Sequence, residues 1–277
     1  MENLYEILCA MGMTENPLSI AAFSHEDGEG EYAVWRVEYA DCCYVLKRAN
    51  PAEAECYTRY LQNAAFAPRL IAKVNDYLLL EYIEGSNLMR CNRTALIAAL
   101  DSMIEMQNDY WDTPKAQAKL ESRKNRRQYL SNDLLEQAYD AYLRDCEQVS
   151  WTLCHDDLLP FNVIHAKDRA VFVDWEHAGI LPYPASLARL IAHTEDKDDA
   201  LFYMTAADVE FAINYYYQKL LKTRGIPYES YRRSLDLHLF YEYCEWVYVG
   251  NKFGDTTGEL YKKYSVIAIN MAKKLGF

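Results

Sequence analysis

The side chains best placed to do chemistry lie in Cys154-His155-Asp156-Asp157-Leu158-Leu159-Pro160-Phe161-Asn162, followed twelve residues later by Asp174 at the end of the apolar run Ala170-Val171-Phe172-Val173. Pro160 and the leucine pair before it make this stretch a loop. A loop that returns the chain over five residues can aim Asp157 and Asn162 into one cavity. Asp174, the first residue beyond a short apolar strand, can face the same cavity. Magnesium is a hard ion that takes oxygen ligands and keeps part of its water shell, so one carboxylate, one amide carbonyl and the phosphates of a nucleotide suffice to hold it. Asn162 and Asp174 meet that need. Asp157 is then free to orient an acceptor hydroxyl and take its proton, the role of the aspartate in a loop of the form H-R-D-x-x-x-x-N.

The elements that must position these groups can be read from periodicity. Residues 2–11 carry Leu4, Ile7, Leu8 and Met11 at helical spacing, and 31–48, dense in Val, Tyr and Trp around a turn at Ala40-Asp41, predict a β-hairpin ending in Lys47. Asn50 suits an N-cap and Pro51 a first helical position, so a helix follows at once. The apolar run 77–83 is short and stops at Gly85, which reads as strand and then a break. Residues 88–149 show a long helical pattern, 151–175 return to short apolar runs (151–154, 162–165, 170–173), and everything after Ser186 reads as helix. The expectation is an α+β chain in two lobes. A small β-rich lobe over 1–84 joins a larger, mostly helical lobe over 85–277 that holds a β island with the chemical loop.

His155-x-Asp157-x4-Asn162, with Asp174 in VFVDWE, resembles the aminoglycoside phosphotransferase and choline kinase superfamily, which shares the protein-kinase-like fold; the D-F-G and A-P-E signatures of protein kinases are missing. The resemblance runs through most of the chain in order. It implies transfer of a phosphoryl group from ATP (or GTP), with Mg2+, to a hydroxyl of a small molecule. Asp157 would be the base, His155 a brace of the catalytic loop, and Asn162 and Asp174 the metal ligands. Lys47 matches the phosphate-binding lysine and Glu53 its ion-pair partner, with Glu55 the rival while the helix phase is open. LLLEYIEG (78–85) is similar to the hinge strand, where the backbone of Glu81 and Ile83 would bond the adenine. Two departures stand out. HEDGEGEY (25–32) is not G-x-G-x-x-G, leaving Gly28 and Gly30 to approach the phosphates with acidic side chains nearby. Where relatives commonly carry Gly or Asn after the loop histidine, this chain has Asp156, so two carboxylates stand side by side; spacing to Asn162 favours Asp157 as the base.

Composition narrows the partners. With 29 Lys plus Arg against 41 Asp plus Glu, the net charge of -12 argues against a nucleic-acid backbone and welcomes a cationic small molecule. No run approaches the ~18 apolar residues of a membrane span and the N-terminus has no leader pattern, so the expectation is a cytoplasmic protein, monomer or homodimer. The eight cysteines show no metal spacing and read as reduced core thiols, and the 24 tyrosines at helical spacing as core. An aminoglycoside-like antibiotic leads as acceptor, with choline, ethanolamine or a sugar as the alternative. Glu176, Glu195 and Asp196 are candidates to hold a cationic acceptor. The rival of another class is a catalytically silent kinase-like protein that binds nucleotide without transferring phosphate.

Overall fold

The computed structural model describes residues 3–24 and 31–277. Helix α1 (Leu4–Ala10) starts at Asn3, whose side chain accepts from the Tyr5 amide, and leans Leu8 on a five-stranded antiparallel sheet. The strands are β1 (Ser19–Ser24), β2 (Glu31–Glu38), β3 (Cys43–Arg48), β4 (Leu70–Val74) and β5 (Tyr77–Glu81), in the order β1-β2-β3-β5-β4. The period of two decides what each face carries. Leu46, Tyr77 and Leu79 join the cluster under α1, while Leu78, Leu80 and Val45 join the main core on the other side. That two-sided burial is why β5 reads as an unbroken apolar run. Lys47 shares Val45's face and lies opposite Val34 on β2 and Leu78 on β5. Four residues on, helix α2 (Pro51–Arg59) begins under the predicted cap: Asn50 accepts from the Glu53 amide and Pro51 opens the first turn.

The helical pattern of 88–149 resolves into α3 (Arg93–Asp109), α4 (Gln117–Arg126) and α5 (Asp133–Gln148), because 110–116 and 127–132 turn the chain. Between α5 and the later helices lies the β island. Strand β7 (Trp151–Cys154) leads into the chemical loop, β8 (Val163–Ala166) and β9 (Arg169–Phe172) form a hairpin, and β10 (Gly179–Pro182) returns to pair with β7. The registers Cys154 opposite Gly179 and Val163 opposite Phe172 fix both ends of the loop. Helices α6 (Ala185–Ala192), α7 (Ala206–Tyr216), α8 (Tyr228–Phe253) and α9 (Glu259–Lys274) complete the chain. Residues 193–205 depart from the helical expectation: Tyr203 bridges to Arg90 and Glu195 instead.

Strands β1 and β10 carry no strong sequence signal, SIAAFS being rich in small residues and GILP being short; each is a strand because a partner edge is there to complete. The cysteine expectation holds for half the set. Cys56, Cys146, Cys154 and Cys244 are buried, whereas Cys9 and Cys42 are exposed and Cys43 and Cys91 half-buried, and all are free thiols. The tyrosine expectation holds in part: Tyr57, Tyr139, Tyr142, Tyr216 and Tyr231 are among the largest fully buried side chains, whereas Tyr215, Tyr217, Tyr243 and Tyr248 are half-buried and Tyr5 is exposed.

The link between the sheet and the helical part runs through Gly85. The short strand β6 (Ser86–Asn87) pairs with β8, setting Ser86 opposite His165. A Cβ on Gly85 would lie 2.4 Å from the His165 carbonyl oxygen and 2.8 Å from Ile164 Cγ2. Backbone cannot yield as a flexible side chain can. Gly85→Ala is therefore expected to destabilise the protein by about 1–3 kcal/mol, read as a lower urea midpoint at unchanged m.

Candidate active site

Lys47 is half-buried on β3, its side chain 15 % exposed, with two carboxylates on its ammonium. Its Nζ lies 2.9 and 2.8 Å from the two oxygens of Glu53 and 2.5 Å from Oδ1 of Asp174, which is 127 residues away in sequence. The α2 cap sets the helix phase. Glu53 turns inward and is buried, also accepting from the Trp175 amide at 3.2 Å, while Glu55 turns outward to pair with Arg59 at 3.2 Å. Burial works against the charge on Lys47, but Glu53 and Asp174 outweigh it and hold the ammonium above its ordinary range. Burial lifts the Glu53 carboxyl, against the pull of Lys47.

The loop after β7 is braced by His155, which is wholly buried. Its Nε2 donates to the Val173 carbonyl at 2.9 Å, its backbone amide donates to Ser186 Oγ at 3.0 Å, and its Nδ1 has no hydrogen-bond partner among the described residues. One brace thus ties the loop both to the strand before Asp174 and to α6. Asp156 and Asp174 take the left-handed conformation, φ 58° and 65°, a region that Asn and Asp enter more readily than other side chains. The left-handed turn at 156 accounts for the departure noted in the sequence: Asp is tolerated there, and its carboxylate meets the buried Arg123 guanidinium at 2.6 Å, with Lys119 at 3.8 Å. Burial opposes the Asp156 charge, and Arg123, Lys119 and Arg126 overcome it, leaving the carboxyl below its usual range. Asp156 is therefore held as a counter-ion.

Asp157 turns to the other side of the loop, with its side chain 19 % exposed. Burial lifts its carboxyl above the ordinary range, with Arg189 and His177 pulling against the shift. Asn162 is fixed by its own amide. Nδ2 donates to the Asp157 carbonyl at 2.9 Å, and the Asn162 carbonyl accepts from the Val173 amide at 3.0 Å. This leaves Oδ1 of Asn162 without a hydrogen bond among the described residues. Asp174 has one oxygen on Lys47 and a side chain that is 39 % exposed. One amide oxygen and one partly open carboxylate are hard donors, and this donor set fits a magnesium ion that shares its shell with phosphates and water.

The remaining candidates fall in three places. At the hinge, the Glu81 amide donates to the Arg69 carbonyl at 2.9 Å, and the Ile83 amide has no hydrogen bond among the described residues. Gly28 and Gly30 lie outside the described residues. Glu176 accepts from Asn50 at 3.2 Å and pairs with His177, stitching the residue after Trp175 to the cap of α2. Glu195 is neutralised by Lys197 and Lys263 at 2.9 and 2.7 Å, and Asp196 accepts from the Ala206 amide at 3.2 Å. These two acids are engaged in local contacts. Reading the sequence did not single out Arg123, Arg189, Glu242 or Ser186. The available signal was a lone arginine in an otherwise apolar helix, ASLARLIA.

A profile of the phosphotransferase enzyme family matches residues 25–219, more than half of the chain. The chain belongs to this family. Among similar sequences, a LicA homolog of Mycoplasma capricolum is 26% identical over 156 residues, covering 53% of this chain and 63% of that protein. LicA of Haemophilus influenzae is 27% identical over 122 residues, covering 44% and 42%. The match thus spans less than two thirds of either relative. Among solved structures, choline kinase LicA of Streptococcus pneumoniae superposes with a TM-score of 0.61 at 15% identity, covering 98% and 99% of the two chains. A Plasmodium vivax ethanolamine kinase gives 0.63 at 11% over 92% and 81%, and aminoglycoside phosphotransferase APH(4)-Ia, solved with AMP-PNP and hygromycin B, gives 0.59 at 14% over 96% of each chain. At these identities the likeness establishes the kinase-like two-lobe fold.

Two outcomes follow for this phosphotransferase. Burial pushes the His155 pKa from 6.5 down to about 4, so the unfolded chain binds the proton more readily than the folded one. The associated stability is fully present above about pH 6.5 and is lost as pH falls through about 4. Urea unfolding from pH 7 to 4 is expected to show a shallower loss for His155→Gln than for the parent. Asp156→Asn keeps the left-handed turn but leaves the Arg123 charge buried and unpaired, which should cost about 3 kcal/mol in the same assay.

Proposed function

We propose that this phosphotransferase uses Mg-ATP to phosphorylate the hydroxyl of a small cationic alcohol of the choline or ethanolamine kind. The observation that carries the catalytic part is the joining of Lys47, Glu53 and Asp174 in one ion cluster beside the Asp157–Asn162 loop. Lys47 would exchange part of its contact with Asp174 for the nucleotide phosphates, while Glu53 keeps the ammonium in place. Asn162 Oδ1 and the open oxygen of Asp174 would hold Mg2+, which when bound draws charge from the phosphate oxygens. Glu81 would accept from the adenine amine and the Ile83 amide would donate to the ring. Asp157 aligns the acceptor hydroxyl and receives its proton as the acceptor oxygen bonds the γ-phosphorus and the bond to the β-phosphate oxygen breaks, releasing ADP. Most of the rate gain would be positioning and charge neutralisation.

A cationic acceptor is supported by what surrounds Asp157 in the helical part. Glu242 on α8 is buried and reaches Asp157 through Arg189. Around it, Tyr264 stacks with Trp246 and with Tyr243, ring centroids 6.1 Å apart in each case. Tyr243 and Trp246 are half-buried, and aromatic faces beside carboxylates attract ammonium groups. The net charge of -12 works in the same direction. The choline kinase LicA and the ethanolamine kinase among the relatives move the acceptor from the aminoglycoside first expected toward the small-metabolite alternative. The presence of Lys47, Asp157, Asn162 and Asp174 together disfavours a silent binder.

The test is ADP release with Mg-ATP across choline, ethanolamine, aminoglycosides, other hydroxylated antibiotics and small sugars, with Asp157→Asn as the blank. Stimulation by choline or ethanolamine is expected, and loss of the base should lower turnover by about 10²–10⁴-fold with nucleotide affinity nearly intact. Stimulation by aminoglycosides alone would restore the antibiotic reading. Full turnover in the variant would sink the mechanism.

A further inference from the structure

Arg189, on α6, is shared between two carboxylates. Its Nε and Nη2 both donate to Oδ1 of Asp157, at 3.1 and 2.6 Å, and its Nη1 donates to Oε2 of Glu242 at 2.9 Å. Glu242 belongs to α8, some fifty residues further on, and is 3 % exposed. His193, one turn after Arg189, lies 3.3 Å from Nη1 with one ring nitrogen and 2.7 Å from the Tyr264 hydroxyl with the other. All three guanidinium nitrogens are engaged. The contact to Asp157 is also one-sided: among the described residues no hydrogen bond reaches Oδ2.

We infer that Arg189 is a positioning residue for the transfer described above, gripping Oδ1 of Asp157 so that Oδ2 is presented to the acceptor hydroxyl, and that Glu242 holds Arg189 in that pose. The inference rests on Asp157 being the base. A carboxylate turns about a broad, nearly two-fold torsion and has no orientation of its own. A guanidinium is a planar fork of fixed donors, so two donors converging on one oxygen stop that rotation. A fork held at its far side by a buried carboxylate cannot swing away. The step itself is unchanged in its atoms: the hydroxyl proton passes to Oδ2, the acceptor oxygen bonds phosphorus, and ADP leaves. What Arg189 supplies is the angle at which the proton is met, and small misplacements of a reacting group are costly in rate.

The experiment compares steady-state kinetics of the parent, Arg189→Met, Arg189→Lys, Glu242→Gln and the Arg189→Met/Glu242→Gln pair, using Mg-ATP and the acceptor that best stimulates the parent. Nucleotide binding and thermal melting are measured alongside. Arg189→Met is expected to lower kcat by about 10–100-fold with KM for ATP within about threefold. Arg189→Lys should recover part of that loss. Glu242→Gln should lose less, and the pair should be no slower than Arg189→Met alone, because Glu242 acts through Arg189. The pair also removes both buried charges, so it reports on rate if the single variant leaves Glu242 too poorly matched to fold. Normal kcat in the pair or in Arg189→Met, beside a silent Asp157→Asn, would overturn this inference alone, as would a loss lying wholly in KM for ATP. Absence of turnover in the parent would overturn the functional reading and this inference with it.

Discussion

A lysine ammonium can be buried only where carboxylates meet it, and here they come from two distant parts of the chain. Lys47 leaves the sheet on the face that turns toward the main core, Glu53 arrives from the helix four residues later, and Asp174 comes from beyond the β island. Glu53 is buried and could not carry its charge there without the lysine, and the lysine could not be so far withdrawn from water without carboxylates to meet it. The cluster therefore does more than assemble a site. It holds the sheet, helix α2 and the β island in one relation, and the contacts of Trp175 with Glu53 and of Asn50 with Glu176 extend the same seam.

The loop beyond β7 shows a second use of the same constraint. Four acids lie close together there and on α8 and are met by three arginines: Asp156 by Arg123, Glu245 by Arg126, and Asp157 and Glu242 both by Arg189. Setting a guanidinium against each carboxylate works against the tendency of neighbouring negative charges to force one another to protonate. It also divides the labour between adjacent aspartates. Asp156 faces a fully buried guanidinium and is held structurally, whereas Asp157 keeps one oxygen clear of hydrogen bonds. Left-handed backbone at 156 and 174 is the conformational cost of aiming side chains from a short loop and from a strand end.

On the proposed function, the helical part would supply what the sheet and loop lack, a surface able to discriminate acceptors. Many of its aromatic residues are core, while Tyr243 and Trp246 are half-buried around Tyr264, close to the Glu242 that completes the Arg189 contact. Orientation of the base and recognition of a cation would then depend on one stretch of α8. A change of acceptor within this fold could alter the angle of the base as well as the fit of the pocket, because α8 contributes to both.

Lys47, Asp157, Asn162 and Asp174 were legible in the chain because their types and spacing are local statements: a loop of fixed length, an apolar strand with an acid at its end, a lysine late in a hairpin. The cap at Asn50-Pro51 was legible for the same reason, since an N-cap acts on amides three residues away. The choice between Glu53 and Glu55 was not, because periodicity leaves a helix's rotation open until packing buries one face. Arg123, Arg189 and Glu242 were invisible as site residues, each being an ordinary charged residue in its own helix. They acquire a role only when helices separated by tens of residues bring opposite charges together in a medium that cannot solvate them singly, and that pairing is a property of the tertiary structure alone.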